Sequence, residues 1–492
     1  MAAKIRALDD SERRALLEEM SLLEQDADVS PENIQRVFLP LPEHRRVLDD
    51  RVVLVLGDRG VGKSALFHFL QTPAGASLVG LDEKDRASRR RWIVGFSETG
   101  MDHAAPSAIE ELARGSASVE ETIRRFWLGH LIGRIAAAGG EGVPEPPAFV
   151  TAWRERPSEP RHWLSELEDP ARYVPWLDQL ERNLTAQDRT LVVTYDHLDK
   201  IGVRNRDIRR RVLPPLLALW LSQSNRYRHV RAKLFLRPDL FDESVANTSD
   251  VSKLLSRSEK LRWSVSALYR LLIRHLAIHP RLRGWMTSGK WKIPLTEHDA
   301  LGWMPPQDLP EEGTTSQHTL MAHLVGERMG SGLDPRVGYS WTWVPNHLKD
   351  AKGVIAPRSM LTLFKSAASR ALNETPRGQY MRVLAPDELK EGLRETSTQR
   401  VIEVQEEHPV ILRLAQLKDV RIPAPVGAVI DALARIPADG DDDFGTAGSR
   451  ALDELARLGV LDRLPKDRID IPDIYRLKFR IERKGQKVKP GR

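Results

Sequence analysis

The stretch that most constrains the fold is residues 51–64, RVVLVLGDRGVGKS. Five apolar residues, Val52 to Leu56, run straight into Gly57, and the spacing G-x-x-x-x-G-K-S is completed by Gly62, Lys63 and Ser64. An unbroken apolar run of this kind suits a strand buried on both faces of a parallel sheet. Glycines at 57, 60 and 62 let the backbone turn so that successive N–H groups face inward, and a helix starting near Lys63 adds its positive end. Strand, glycine-rich turn and helix in this order make a cradle for phosphate. Gly57, Asp58, Arg59, Gly60, Val61, Gly62, Lys63, Ser64 and Ala65 are therefore the candidate nucleotide-binding residues. Lys63 is expected to reach the β- and γ-phosphates as a point charge, and Ser64 to place its hydroxyl on Mg2+.

A phosphate loop of this type requires a second strand ending in an acid, as a metal ligand and as a base for water. LVVTYDHLDK, residues 191–200, supplies it: Asp196 ends an apolar run as the candidate metal-side aspartate, and Asp199 follows three residues on as the candidate base. Between them stands His197, where many ATPases with this layout carry Glu. Either Asp199 takes the base role, or hydrolysis is slow and the protein is mainly a switch; His197 as a packed or hydrogen-bonded side chain fits better than His197 as base. Arg237 closes another apolar run in KLFLRPDLF and is a candidate γ-phosphate reader, the alternative being an ion pair with Asp239 or Asp242. Arg358, in APRSMLTLFKSAA, begins a helix and is a second candidate, against the alternative of a solvated helix-start charge.

The remaining pattern is organised around these motifs. Strands are expected near 52–56, 92–96, 191–195, 233–236 and 259–263, alternating with helices near 63–71, 106–138, 171–184, 206–223 and 264–279. Residues 139–170 read as an irregular insertion, and 280–345, with many Trp, Pro and Gly, as a loop-rich extension. Beyond it, 357–374 and 385–419 read as helices, and DELARLGVL followed by RIDIPDIY has a helix-then-β-wing rhythm. The chain has no cysteine, which excludes disulfides, thiol catalysis and Cys-ligated zinc. Its 492 residues carry a net charge of +6, a mild bias towards polyanions. Arg204, Arg206, Arg209, Arg210 and Arg211 crowd one helix start, where contact with nucleic acid, action on a neighbouring subunit's nucleotide and simple solvation all stay open. The last seventeen residues hold eight Lys or Arg against Glu482 and read as an exposed basic tail, either solubilising or in contact with nucleic acid. No stretch has the length and apolarity of a membrane span and the N-terminus lacks a signal-peptide pattern, so the expectation is a cytoplasmic protein without a membrane partner.

With these residues placed, GDRGVGKS, LVVTYDHLD with its D-x-x-D ending, the strand-terminal arginine of KLFLRPDLF and the order of the apolar strands resemble the additional-strand P-loop ATPases. The likeness is to the AAA+-like branch that holds the STAND signalling and origin-recognition-type ATPases, and it covers roughly 31–280 at motif level. It implies an α/β P-loop NTPase with a parallel five-stranded sheet of order 5-1-4-3-2, then a helical lid and a C-terminal winged-helix-like domain. The implied divisions are an N-terminal helical segment (about 1–30), an ATPase core (about 31–263), a lid (about 264–374) and the winged-helix-like domain (about 375–492). Glu43 and His44 fall where such families contact the adenine-side rim. The resemblance further implies ATP and Mg2+ as cofactors, an effector or sensor protein as partner, a homo-oligomer, and a role like that of ATPases in prokaryotic defence systems. The rival reading is an ATP-dependent regulator or loader on double-stranded DNA. No guanine-specifying N-K-x-D stretch is present.

Overall fold

The apolar runs become strands, and their pairing follows from which of them lack any solvent-facing side. The computed structural model of the chain describes residues 7–24, 31–78, 89–97, 104–115, 118–167, 170–203, 205–245, 251–288, 292–307, 315–330, 337–375, 378–435 and 444–484. These fall into two compact units, 27–262 and a second built from both chain ends, 1–26 with 263–492.

In the first unit five strands form one sheet: β1 (Leu54–Leu56), β2 (Arg90–Phe96), β3 (Thr190–Tyr195), β4 (Val230–Leu236) and β5 (Ser258–Lys260). Every pairing is parallel, and the order is β2-β3-β4-β1-β5, which read from the other edge is the expected 5-1-4-3-2. β1, fully buried, lies inside the sheet, whereas β2 at an edge keeps polar and half-exposed residues at its start. The register brings Leu56 opposite Leu236, and the Gly57 N–H continues the ladder to the Leu236 carbonyl at 3.1 Å. The strands that end in Gly57, Asp196 and Arg237 thus all finish on one edge, where ligands gather in open α/β sheets.

Three helices define the sheet's surroundings: α1 (Lys63–Leu70), α2 (Val119–Ala138) and α3 (Arg206–Arg226). α3 passes through Pro214 and Pro215, which withhold two helix donors. The Trp127 indole of α2 donates to the Val212 carbonyl beside this break at 2.9 Å. Residues 139–170 differ from the irregular reading: they hold the short helices Phe149–Glu155 and Pro160–Leu164. Each brings one buried tryptophan against a glycine of α2. A Cβ on Gly129 would lie 2.7 Å from the Trp163 ring, and one on Gly133 would overlap the Trp153 indole. The Pro and Gly content that suggested a loop punctuates short elements that bury large rings.

In the second unit, the N-terminal helix Asp10–Ser21 begins at a capping box in which Asp9 accepts from the Glu12 N–H. Leu8–Asp9 pairs antiparallel with Gln379–Tyr380. Buried Arg13 donates to both oxygens of Glu388 at 2.6 and 2.7 Å and to the Val383 carbonyl, and its guanidinium lies over the Tyr380 ring. Residues 280–345 are more ordered than their composition suggested. They include helices Pro280–Thr287, Ser316–Leu324 and Ser340–Leu348, and a hairpin of Thr296–His298 with Gly302–Met304. Buried Arg274 holds that hairpin by donating to the carbonyls of Leu301 and Trp303. Helices α4 (Pro357–Leu372) and α5 (Pro386–Gln405) pack on each other, Gly392 of α5 lying against the backbone of Leu363 and Ala367. The helix expected over 385–419 breaks, because Pro409 opens a separate 3-10 helix, Pro409–Leu417. Next come helix Val426–Leu433, helix Gly448–Arg457 and a three-stranded antiparallel sheet in which Arg468–Asp470 lies between Ala424–Pro425 and Asp462–Leu464.

The tail reading needs correction over its described part. Arg476 is buried and pairs with Asp473, Arg483 donates to Asp470 at 2.9 Å, and the Lys484 N–H bonds the Ile422 carbonyl. Carboxylates outside the tail pair with Arg476 and Arg483, which local composition does not show, whereas Lys478, Arg480 and Lys484 are exposed as read; residues 485–492 lie outside the described residues. Among the described residues no helix is long and apolar enough to cross a membrane.

Candidate functional site

The glycine-rich turn has the conformation its sequence demands. Gly60 and Gly62 sit at φ 78° and 95°, a region that side-chain-bearing residues rarely adopt, and Gly62 is the residue from which α1 starts. At Gly57 the constraint is space: a Cβ there would meet Val61 Cγ1 at 2.5 Å and Lys63 Cγ at 3.2 Å. Lys63, Ser64 and Ala65 form the first turn of α1, where N–H groups have no intrahelical acceptor. Val61 is buried beneath the turn, and the Asp58 carboxylate lies 3.7 Å from Lys260 at the end of β5.

Lys63 folds back over the loop, donating to the Gly57 carbonyl at 2.9 Å and the Asp58 carbonyl at 3.3 Å. Burial holds its ammonium below the usual lysine range; the nearby Asp199, Asp196 and Asp58 carboxylates oppose that shift and Arg237 adds to it. The electrostatics therefore bring together the residues named from three separate sequence segments. Asp196 is buried, and its N–H bonds the Phe96 carbonyl at the end of β2. Its Oδ2 is buried and makes no hydrogen bond among the described residues. A buried carboxylate oxygen without a donor is costly unless a cation completes it. This orphaned atom, on the edge that also carries Ser64, fits a Mg2+ ligand set. Asp199 is half-buried in the one-turn helix that follows.

His197 takes a left-handed conformation, φ 57°, uncommon for a residue with a side chain. Its Nδ1 lies 3.3 Å from the Ser97 hydroxyl and 3.8 Å from Asp196 Oδ2. The ring is thus held in a hydrogen bond between strand ends. Arg237 is buried and forks onto Asp239, Nε to Oδ1 at 3.0 Å and Nη2 to Oδ2 at 2.7 Å, so the ion-pair alternative is the arrangement present. Arg358 belongs to the other unit, where it donates to Glu403 at 3.3 Å.

Other cations named from the sequence have backbone duties. Arg209 donates to the Gly202 and Val203 carbonyls and Arg211 to the Ala113 carbonyl, while Arg210 is exposed near Asp207; Arg204 lies outside the described residues. His44 is a buried structural side chain: its Nδ1 accepts from the Leu41 N–H at 3.2 Å and its ring stacks on Phe38. Sequence reasoning passed over Ser97 and Gln71. The Gln71 amide, just past α1, donates to Thr194 Oγ1 at 2.9 Å, tying the helix of the phosphate loop to the strand of Asp196. Their only signal is position, at the end of an element beside a named motif.

No family model matches the chain, and no curated protein matches it. Among solved structures it is similar to the ORC2 protein of Aeropyrum pernix, in ADPNP-ADP complexes, with 13% identity over 91% of each chain and a TM-score of 0.39. It is similar also to Cdc6p of Pyrobaculum aerophilum (12% identity, 96% of this chain and 95% of that one, TM-score 0.29). A third likeness is to the A. pernix ORC1 protein in complex with DNA (13% identity, 96% and 90%, TM-score 0.30). These are of the origin-recognition type that the motifs resemble. Likeness at this level carries no argument about chemistry, and the fold class rests on the chain's own strand order and loop.

Proposed function

We propose that the chain is an ATP-binding, Mg2+-dependent ATPase that works as a molecular switch. The observation that carries this reading is the buried, donorless Oδ2 of Asp196 on the edge where Lys63 is enclosed by the charges of Asp199, Asp196, Arg237 and Asp58. The loop from Gly57 to Ala65 would wrap the phosphates with its N–H groups, and Lys63 would exchange the Gly57 and Asp58 carbonyls for phosphate oxygens. Ser64 and Asp196 would hold Mg2+, whose charge offsets that of the β- and γ-phosphates when it is bound. Asp199 is the base that takes a proton from the attacking water, since His197 is engaged with Ser97.

The switch resides in Arg237. Its guanidinium is bidentate on Asp239, and a γ-phosphate offers the same fork a stronger acceptor. Triphosphate and diphosphate states then differ in whether Asp239 keeps its partner, a difference that can drive exchange of an effector or sensor protein, or assembly of a homo-oligomer. Arg358 is proposed as a further phosphate reader, released from Glu403. A sensor role in a prokaryotic defence system is part of this proposal and rests on the motif resemblance alone.

The test is ATP hydrolysis with and without Mg2+ by the full chain, beside Lys63→Ala, Asp196→Asn and Asp199→Asn. Lys63→Ala is expected to lose nucleotide binding, and Asp196→Asn and Asp199→Asn to lose turnover by on the order of 100-fold while still binding. Turnover by Asp199→Asn at the wild-type rate removes Asp199 as base. One observation favours a second reading, a DNA-dependent regulator. We read the helical segments Pro409–Leu417, Val426–Leu433 and Gly448–Arg457 followed by the Asp462–Leu464/Arg468–Asp470 hairpin as a winged-helix-like order of elements, which supports that reading. Against it, Arg457 and Arg463 are paired with Glu454 and Asp453 of the third helix. Stimulation of turnover by duplex DNA, lost as salt is raised, would select this reading.

A further inference from the structure

The sheet has a second cationic place, at the opposite ends of its strands. Three consecutive arginines, Arg89, Arg90 and Arg91, lead into the edge strand β2, and Arg189 immediately precedes β3 beside them, the Thr190 N–H bonding the Arg89 carbonyl. Together with Trp92 and the segment Leu70–Pro73 that ends α1, these four arginines line a groove of about 430 Å³. That volume lies within the range of small-molecule sites.

Among the described residues the charge there is incompletely balanced. Arg89 pairs with Asp188, Arg90 with Asp50 and Arg189 with Glu141, but Arg91 is held by the backbone carbonyls of Ala138 and Gly139, which bring no formal charge. Two of the three ion pairs are also open to solvent: Arg89 and Asp188 are 49% and 68% exposed, Arg189 and Glu141 48% and 65%. Exposed pairs of this kind are weak, so exchanging the carboxylate for another anion costs little. A guanidinium fork matches phosphate bidentately, and four arginines lining one concave surface favour an anion carrying several charges in a small volume. Trp92 adds a planar wall, and its buried indole N–H has no acceptor among the described residues. α1 runs from the phosphate loop at Lys63 to this groove, with Gln71 at its end bonded to Thr194 of β3.

We propose that this groove is a second anion site, distinct from the phosphate loop, that takes a compact polyphosphate or a nucleoside polyphosphate. Inorganic tripolyphosphate is the probe, titrated calorimetrically into the full-length chain without Mg2+. The groove event is defined as the one that persists in Lys63→Ala. Arg89→Ala/Arg189→Ala is expected to weaken that event by about tenfold or more, as loss of two charge-assisted contacts requires, with an unchanged melting temperature. Arg228→Ala, an exposed arginine preceding β4 and absent from the groove lining, is expected to leave it unchanged. The proposal is overturned if Lys63→Ala binds no tripolyphosphate. It is equally overturned if the double variant binds as the wild type does, or if Arg228→Ala weakens binding as much, which would mean diffuse attraction to a basic edge. An oligonucleotide that displaces the probe at a lower phosphate concentration would identify an extended polyanion instead.

Discussion

At the scale of single residues, His44 shows how a side chain named for one purpose serves another. Burial pushes its imidazole from the usual 6.5 down to about 3, because the neutral ring is fixed as acceptor for the Leu41 N–H and stacked on Phe38. The sign of the linkage follows. Below pH 6.5 the unfolded chain takes up a proton at His44 that the folded chain refuses until about pH 3, so acidification favours unfolding across that window. His44→Phe keeps an aromatic ring but cannot titrate, and it leaves the Leu41 N–H without its acceptor. It should be about 1 kcal/mol less stable than wild type near pH 7.5, yet lose about 2 kcal/mol less on going to about pH 5. Denaturant unfolding at the two pH values checks this, and equal losses in both proteins would show that His44 titrates normally when folded. That Gly57, Asp196 and Arg237 come to one edge of the sheet was legible because each follows an apolar run, where strand geometry leaves few places to go. The partner of Arg237 was legible only as an alternative, and that of Arg358, Glu403, not at all, since a guanidinium's choice of acceptor depends on the fold.

At the scale of elements, the inner strands β1, β3 and β4 were readable because residues buried on both faces leave no polar alternation to confuse the pattern. Their ends shifted by one to three residues, as with the strand read from 233 that begins at Val230. The short helices of 139–170 were hidden for a different reason. Their stability lies in two tryptophans fitted to two glycines about one turn apart on α2, a relation between distant segments that no local period records. Gly133→Ala tests this fit. The added methyl would overlap the Trp153 indole, which has buried surroundings on every side, so the gain in helix propensity of about 1 kcal/mol is outweighed by overpacking of about 1–3 kcal/mol. The expected result is a net loss of stability with Trp153 fluorescence altered. A net gain would mean that the ring yields freely. Arg274 makes the same point for 280–345: one buried guanidinium, placed by α-helical periodicity among leucines, organises a hairpin whose own sequence reads as loop.

At the scale of the whole molecule, the chain leaves one unit and returns to it, since residues 1–26 belong with 263–492 and not with the sheet that follows them in sequence. The N-terminal helix was legible as a helix but not as part of the later unit, because its partners lie hundreds of positions away: Glu19 accepts from the Arg281 and Leu282 N–H groups, and the most buried charged contact spans about 370 positions. Arg13 meets Glu388, the Val383 carbonyl and the Tyr380 ring, with both charged groups almost wholly buried. Removing one partner of a buried pair leaves an uncompensated charge, at a cost of about 3–5 kcal/mol, far above what an exposed pair contributes. Arg13→Ala should therefore destabilise the unit that contains both chain ends, whereas Gly133→Ala acts on the unit that contains the sheet. Scanning calorimetry of the two variants distinguishes the alternatives. If each compact unit unfolds cooperatively by itself, wild type shows two transitions, Arg13→Ala lowers one and Gly133→Ala the other. A saturating nucleotide should raise the transition that Gly133→Ala lowers, by about 2.7 kcal/mol at a hundredfold excess over its dissociation constant. A single transition lowered by both variants would mean that the units unfold as one, and nucleotide binding at the sheet would then stabilise the N-terminal helix as well.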